Sequence, residues 1–468
     1  MKHSANKILI ILFLIINGIV LYNAIFHPPW IGYDAEAHIV NIKILSQFRL
    51  PVRQESAMFY MPPLYYILPA ILNSLNTVPF IITLKFAQLL NVIYSIGLVF
   101  FLMKICDIIR PKNTAFKIIT LLFLGMITAY YKTFAFIRSE PLLAFLTILA
   151  IYLTLRLAEK KPSNYGTAIA LGITIGFALL TKHTAVFPAV AIISFILISA
   201  VKIPEKRKFY IKSSAIILLF VLLISGWFYL NLYKNYGSAK IFNIKIAPGV
   251  YEGKKQRTFM DKTGLPYVFR EPVRKYFKGS VVPIFYSELW GDYLCFFVVY
   301  GIDKRTNEYI SGKNLAYAIY ELSKPSWLYT NRDSIKKYLG RVNIVSIIPS
   351  FIMIIGIIYG LICCGRMLKD GRENKNIFYF SLLEITILFT IIGFVYFLFA
   401  YPSPKGDNAK ATYIANAFPI FAILASQFMC LLKEKSKMAF TIILTVLIII
   451  FLYNFPVHIT RYSPFINR

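Results

Sequence analysis

The segment "LYYILPAILNSL", Leu64 to Leu75, decides how the whole chain is threaded. It is apolar, yet at about a dozen residues it falls short of the roughly 20 that a helix needs to cross a bilayer, and segments of that length are more often interfacial. Leaving it out gives eleven longer apolar runs, at 8–26, 79–103, 115–131, 134–155, 165–181, 184–201, 213–231, 342–365, 377–400, 411–432 and 438–456. With the N-terminus cytoplasmic, five basic clusters then share the cytoplasmic side: Lys104/Arg110/Lys112/Lys117, Arg156/Lys160/Lys161, Lys202/Lys206/Arg207/Lys208/Lys212, Arg366/Lys369/Arg372/Lys375 and Lys433/Lys435/Lys437. Counting Leu64 to Leu75 as a span would send every one of them to the other side. The segment is therefore expected to lie across the membrane surface.

Composition supports this threading. The chain has 468 residues, 58% of them hydrophobic, with a mean hydropathy of +0.63, which is too apolar for a set of soluble domains. An all-α polytopic membrane protein is expected, with amphipathic helices in the first external loop. The first apolar run lacks a small-residue exit and reads as a retained span. A net charge of +30 is dispersed in short clusters between apolar runs, so it marks topology and not a nucleic-acid partner. Cys106, Cys295, Cys363, Cys364 and Cys430 have no metal-binding spacing, and no disulfide is expected.

Three regions follow: an N-terminal transmembrane module at 1–231 that includes the external loop 27–76, an external cap at 232–341, and C-terminal helices with a short external tail at 342–468. The expected location is the cell (cytoplasmic, or inner) membrane.

The chemistry gathers in the external segments. "GYDAEAH", Gly32 to His38, puts Asp34 at the start of a helix expected over 35–48, where capping is its plainest use. Capping still leaves an oxygen free to accept a proton. His38 lies one turn along on the same face, whereas Glu36 points elsewhere. A divalent metal between Asp34 and His38 fits the spacing, but two ligands without a third do not make a site, and no cofactor is expected.

"FIRSEP" places Arg138 and Glu140 between two spans with almost no loop. Ionisable groups at such depth face a water-filled cavity or one another, and the plain reading is a pair that anchors a helix end. Lys182 and His183 interrupt "GFALLTKHTAVF" where one helix hands over to the next; Lys182 either snorkels to the interface or offers a point charge to a phosphate. Lys410 has the same two readings. Carboxylates and cations on one face of a bundle describe a site for an anionic amphiphile, most economically a sugar carried on a lipid phosphate. Phosphate leaves readily once cations hold it, so one carboxylate base suffices.

The ordered series "GYDAEAH", "PPLYY", "RSEPLLAFL", "GFALLTKHTAVFPA", "GWFYLNLYKNYGSA", "ELWGDY" and "NAKATYIANAFP" resembles membrane glycosyltransferases of the GT-C fold. Within them it is most similar to glycosyltransferase family 39, which includes protein O-mannosyltransferases and lipid A aminoarabinose transferases. The resemblance runs from Ile8 to about Pro419. It implies a polyprenyl-phosphate sugar donor, a non-cytoplasmic active site, inversion at the anomeric carbon, and a lipid, glycan or protein acceptor, in contact with membrane lipids. By motif, Asp34 is the catalytic carboxylate and Glu140 the second acid, while Glu36, His38, Tyr65, Arg138, Lys182, His183, Lys410 and Tyr413 are substrate-binding. Tyr60 and Met61 stand where relatives often carry a charge, and Lys410 stands near where many carry an arginine.

Two other readings compete. A transporter or flippase of lipid-linked sugars would show charges or broken helices near mid-membrane. A polysaccharide polymerase or ligase using a diphosphate-linked donor would draw on loop arginines, here Arg257, Arg270, Arg274, Arg305 and Arg332.

Overall fold

The computed structural model describes residues 2–159, 165–241, 264–272, 277, 280–294, 296–297, 301–302, 309–310, 332–370, 375–401 and 409–460. Among them, nine helices are long and apolar enough to cross a membrane. These are α1 (Lys2–Phe26), α4 (Phe80–Ile109), α7 (Glu140–Glu159), α9 (Val186–Lys202), α10 (Arg207–Tyr236), α14 (Ile347–Asp370), α15 (Lys375–Ala400), α16 (Phe418–Lys435, continuing the 3-10 turn Ala411–Ala417) and α17 (Lys437–Asn454).

A broken pair adds a tenth candidate: α5 (Thr114–Met126) and α6 (Thr128–Ala135) meet at a 67° bend. The remaining predicted span corresponds to α8 (Gly166–Thr181), whose 16 residues fall below the length of the others. Even so, α8 starts beside Phe209 at the head of α10 and ends at Lys182, bonded to Glu140 at the head of α7, so it runs from one end of the bundle to the other. A Cβ on Gly172 would lie 2.9 Å from the Ile217 carbonyl oxygen, and one on Gly176 would lie 2.7 Å from Ile224 Cβ, so these two glycines let α8 and α10 approach closely.

Both amphipathic helices expected in the first loop are present, α2 (Ala35–Leu45) and α3 (Leu64–Ser74). The first is shorter than predicted: Ser46 closes it and Phe48 takes a positive φ of 57°. The second has 11 residues, roughly 16 Å at 1.5 Å per residue, about half of a bilayer core. It buries Tyr65, Tyr66, Pro69 and Ala70 against α2 and α4, and leaves Ile67, Leu68 and Ile71 exposed, as suits a helix with one face on protein and the other on lipid.

The predicted third and fourth spans are displaced. Ile127 is extended (φ −81°, ψ 104°), and the chain turns into α6 instead of continuing to residue 131. Tyr131 donates its phenol hydrogen to the Gly125 carbonyl across the break, at 2.9 Å, which satisfies a group the helix has lost. Every residue of α6 is buried, so the turn carries Lys132 into the interior.

The described members of the basic clusters gather at the end of the bundle opposite residues 27–79. There Arg110 bonds Gln427 and Glu434, Lys117 pairs with Asp107, Lys206 caps the Ala158 carbonyl, and Lys202 donates to the Leu368 carbonyl. In the long loop, the described parts include α11 (Leu265–Val268), α12 (Val281–Trp290) and a two-residue antiparallel pair, Gly301–Ile302 with Tyr309–Ile310. A further helix, α13 (Arg332–Val345), leads into α14. Cys106, Cys363, Cys364 and Cys430 are free, and Cys295 lies outside the described residues.

Candidate active site

The loop that carries Asp34 is pinned where it leaves α1. Lys85 donates to the carbonyls of Ala24, Ile25 and His27 at 2.7–3.1 Å, giving the C-terminal end of α1 a cation for its unpaired acceptors. Gln88 bonds the His27 and Ala135 carbonyls, and Asn91 bonds that of Phe136. His27 is fully buried between Thr460 Oγ1 (2.8 Å) and the Ile31 carbonyl (3.0 Å), and burial pushes its pKa down to about 3. The chain's far end is thereby tied to this loop.

Asp34 takes the left-handed conformation (φ 56°, ψ 25°), which aspartate tolerates better than most residues. Its side chain makes no capping hydrogen bond to α2, contrary to the simplest expectation from sequence. The carboxylate is exposed, and its charge acts on Lys182, His38 and Tyr60, which places it at the rim of the cluster those residues form. Glu36 is exposed too, on the following turn.

His38 is buried, with Nδ1 2.6 Å from the Tyr66 hydroxyl, so it ties α2 to α3. Burial pushes its pKa down to about 4, and the ring is neutral at pH 7. No group of three or more His, Cys, Asp or Glu among the described residues could hold a metal ion.

Behind Asp34 lies a buried ion network. Glu140, at the head of α7, accepts through Oε1 from Arg138 and from Lys182 Nζ, the latter at 2.5 Å, while its Oε2 has no hydrogen-bond partner. Arg138 is therefore both the anchoring partner foreseen for Glu140 and part of a larger group. Its Nη1 donates to Thr412 Oγ1 at 3.0 Å, and its backbone N–H donates to the Tyr65 hydroxyl at 3.1 Å. Lys182 is held where α8 breaks into an extended residue (φ −161°, ψ 141°), and only 8% of it is exposed. It does not snorkel. Burial lowers its pKa, and the Glu140 charge opposes that shift. His183 bonds the Tyr60 carbonyl through Nε2 at 2.7 Å and stacks on the Tyr60 ring.

Lys410, 3% exposed, sits with Nζ 4.2 Å from the centroid of the Tyr33 ring. Tyr413 is ringed by all three cations: Lys182 Nζ at 5.3 Å, Arg138 Cζ at 6.0 Å and Lys410 Nζ at 6.0 Å from its centroid. Asp34, His38, Tyr65, Arg138, Glu140, Lys182, His183, Lys410 and Tyr413 thus come together at one end of the bundle, and Glu36 stays outside. Converging buried cations beside an exposed carboxylate can hold an anion and accept a proton next to it.

Sequence reasoning passed over Tyr33, Thr412 and a second buried ion group, Lys132 with Glu288 and Asp292. One signal was present: a lone lysine in the apolar run "TAYYKTFAF". The acids of "ELWGDY" stood in a motif but had no partner to identify them. Of the loop arginines, Arg270 is exposed, while Arg257, Arg274, Arg305 and the side chain of Arg332 lie outside the described residues.

The family model for dolichyl-phosphate-mannose-protein mannosyltransferases matches residues 54–227, which include Arg138, Glu140 and Lys182. Among curated proteins, none matches the chain. Similar solved structures include ArnT from Cupriavidus metallidurans in the apo state, at 12% identity and TM-score 0.40, covering 90% of this chain and 76% of that one. Another is the Archaeoglobus fulgidus oligosaccharyltransferase in the apo form, at 13% identity and TM-score 0.48, covering 99% of this chain and 57% of that one. A third is the same archaeal enzyme, AglB, in complex with an inhibitory peptide and a dolichol-phosphate, at 14% identity and TM-score 0.48, covering 99% and 56%. This chain spans little more than half the length of the archaeal proteins, and these superpositions are loose. With nine helices among the described residues long and apolar enough to cross a membrane, the chain is an all-α polytopic membrane protein, and over residues 54–227 it is similar to the GT-C glycosyltransferases of the family 39 group.

Proposed function

We propose that the chain is an integral membrane glycosyltransferase that moves a sugar from a polyprenyl-phosphate donor to a hydroxyl of a lipid, glycan or protein acceptor on the non-cytoplasmic face. The observation that carries this reading is the exposed Asp34 carboxylate beside Arg138, Lys182 and Lys410, three buried cations around one tyrosine ring. The cations bind the donor phosphate and stabilise the charge that grows on it as the bond to the anomeric carbon breaks. Asp34 accepts the proton of the attacking hydroxyl, and a single displacement inverts the anomeric centre. Glu140 holds Arg138 and Lys182 in place, with one oxygen accepting from both.

A transporter of lipid-linked sugars would need ionisable groups reachable from both faces, whereas this cluster lies at one end of the bundle. Incubating membranes that contain the protein with a panel of polyprenyl-phosphate sugars, followed by mass analysis, tests the proposal. Sugar-labelled product together with free polyprenyl phosphate is expected from at least one donor. Movement of intact donor between leaflets without any bond cleavage would replace this reading with the transporter.

A further inference from the structure

The second buried ion group lies directly behind Tyr33, the residue before Asp34. Lys132, on the buried helix α6, places Nζ 3.0 Å from Glu288 Oε2, 2.8 Å from the Gly291 carbonyl and 3.7 Å from Asp292 Oδ1. Asp292 accepts from the backbone N–H groups of Phe296 (3.0 Å) and Phe297 (2.7 Å), and Thr128 Oγ1 donates to the Trp290 carbonyl at 2.5 Å. Glu288, Gly291 and Asp292 are thereby gathered around the single side chain of Lys132.

Tyr33 closes the arrangement. Its hydroxyl donates to Glu288 Oε1, and the Phe296 ring meets it edge-on at 4.9 Å. Lys132, Glu288, Asp292 and Tyr33 are at most 3% exposed. Buried ionic groups held this way, with hydrogen bonds at several oxygens, fix one geometry even where they add little net stability.

The ring of Tyr33 serves the other network. Lys410 Nζ lies 4.2 Å from its centroid and Arg138 Cζ 5.3 Å. One side chain therefore touches both ion groups: its hydroxyl bonds the acid of the long loop, and its ring packs on two of the cations assigned to the donor phosphate. Asp34 follows immediately, in a left-handed conformation and with no side-chain cap on α2.

We infer that Glu288, held by Lys132, is a positioning residue that fixes the Asp34 carboxylate through the Tyr33 hydroxyl, so that the site is complete only when Glu288 to Asp292 is docked on α6. This rests on the reading of Asp34 as the base. Loss of the Tyr33 hydroxyl frees the turn and lets Asp34 drift from the acceptor hydroxyl, while the ring still packs on the cations.

Tyr33→Phe removes one oxygen and tests the inference in purified protein with the donor found above. The expected result is a fall in kcat of about 10- to 100-fold, the scale of a misplacement near 1 Å, with the KM for donor little changed and the melting temperature lowered modestly by the buried Glu288 oxygen left without its donor. In an Asp34→Asn background the same substitution is expected to cause no further loss in residual transfer, since the two act through one carboxylate. Glu288→Gln, which keeps an acceptor for the phenol, is expected to retain more of kcat than Glu288→Ala at equal folded yield. An unchanged kcat in Tyr33→Phe, or an equal loss with and without Asp34, overturns the positioning role even if Asp34→Asn is inactive. A fully active Asp34→Asn overturns instead the reading on which the inference rests.

Discussion

Lys182→Met removes one of the three cations assigned to the donor phosphate, and the structure sets the size of the effect. Lys182 Nζ is buried 2.5 Å from Glu140 Oε1, an oxygen that Arg138 also engages. Glu140 therefore keeps a partner, and the stability cost should stay below the ~3–5 kcal/mol of leaving a buried charge unpaired. The cost to donor binding is different, since a hydrogen bond to a charged group contributes about 1.5–3 kcal/mol. That corresponds to roughly 10- to 150-fold in affinity, towards the lower end here because Arg138 and Lys410 remain. The assay is direct binding of a polyprenyl phosphate, without sugar, to purified protein in detergent, beside a melting curve. Lys182→Arg should recover part of the affinity, because a guanidinium also bonds phosphate. A Lys182→Met protein that melts normally and binds polyprenyl phosphate as the wild type does would refute the assignment and leave Lys182 as a structural partner of Glu140.

Three further outcomes are expected. Glu140→Gln keeps the shape of the side chain but removes the charge between two buried cations, so it should lower the melting temperature by the equivalent of about 3 kcal/mol or more; normal melting with abolished transfer would make Glu140 a catalytic acid instead. His38, near 4 when folded against 6.5 unfolded, withholds a proton that the unfolded chain binds in that window. Stability should thus be full above pH 6.5 and about 2 kcal/mol lower at pH 5, with His27 adding in the same sense; if His38→Gln leaves the slope between pH 7 and 5 unchanged, this linkage is wrong. Gly176→Leu has no room against Ile224 and should part α8 from α10, costing about 1–3 kcal/mol by melting, whereas wild-type stability would mean the two helices separate freely.

What the sequence made legible, and what it hid, depended on range. The place of Leu64 to Leu75 off the spanning path could be read because charge in loops and length in apolar runs are local quantities that constrain one another. The break at Ile127 was hidden because no proline marks it; the Tyr131 hydroxyl bonds the Gly125 carbonyl across it, and hydropathy reads straight through. Asp34 was found by motif, yet its left-handed backbone and uncapped side chain depend on contacts that flank it. The pairing of Lys182 with Glu140 joins residues 42 apart, and that of Lys132 with Glu288 joins residues 156 apart, distances at which one sequence offers types but no partners. For that reason Lys182 read equally well as a snorkelling lysine, and Tyr33 did not stand out at all beside the acids that follow it.

The role of Asp34 as proton acceptor is tested most directly by the rate of sugar transfer by purified Asp34→Asn protein. Transfer is expected to fall by about 10²- to 10⁴-fold, the usual contribution of a general base, while polyprenyl phosphate binding and the melting temperature stay close to wild type. Transfer at the wild-type rate by a folded Asp34→Asn protein would contradict it.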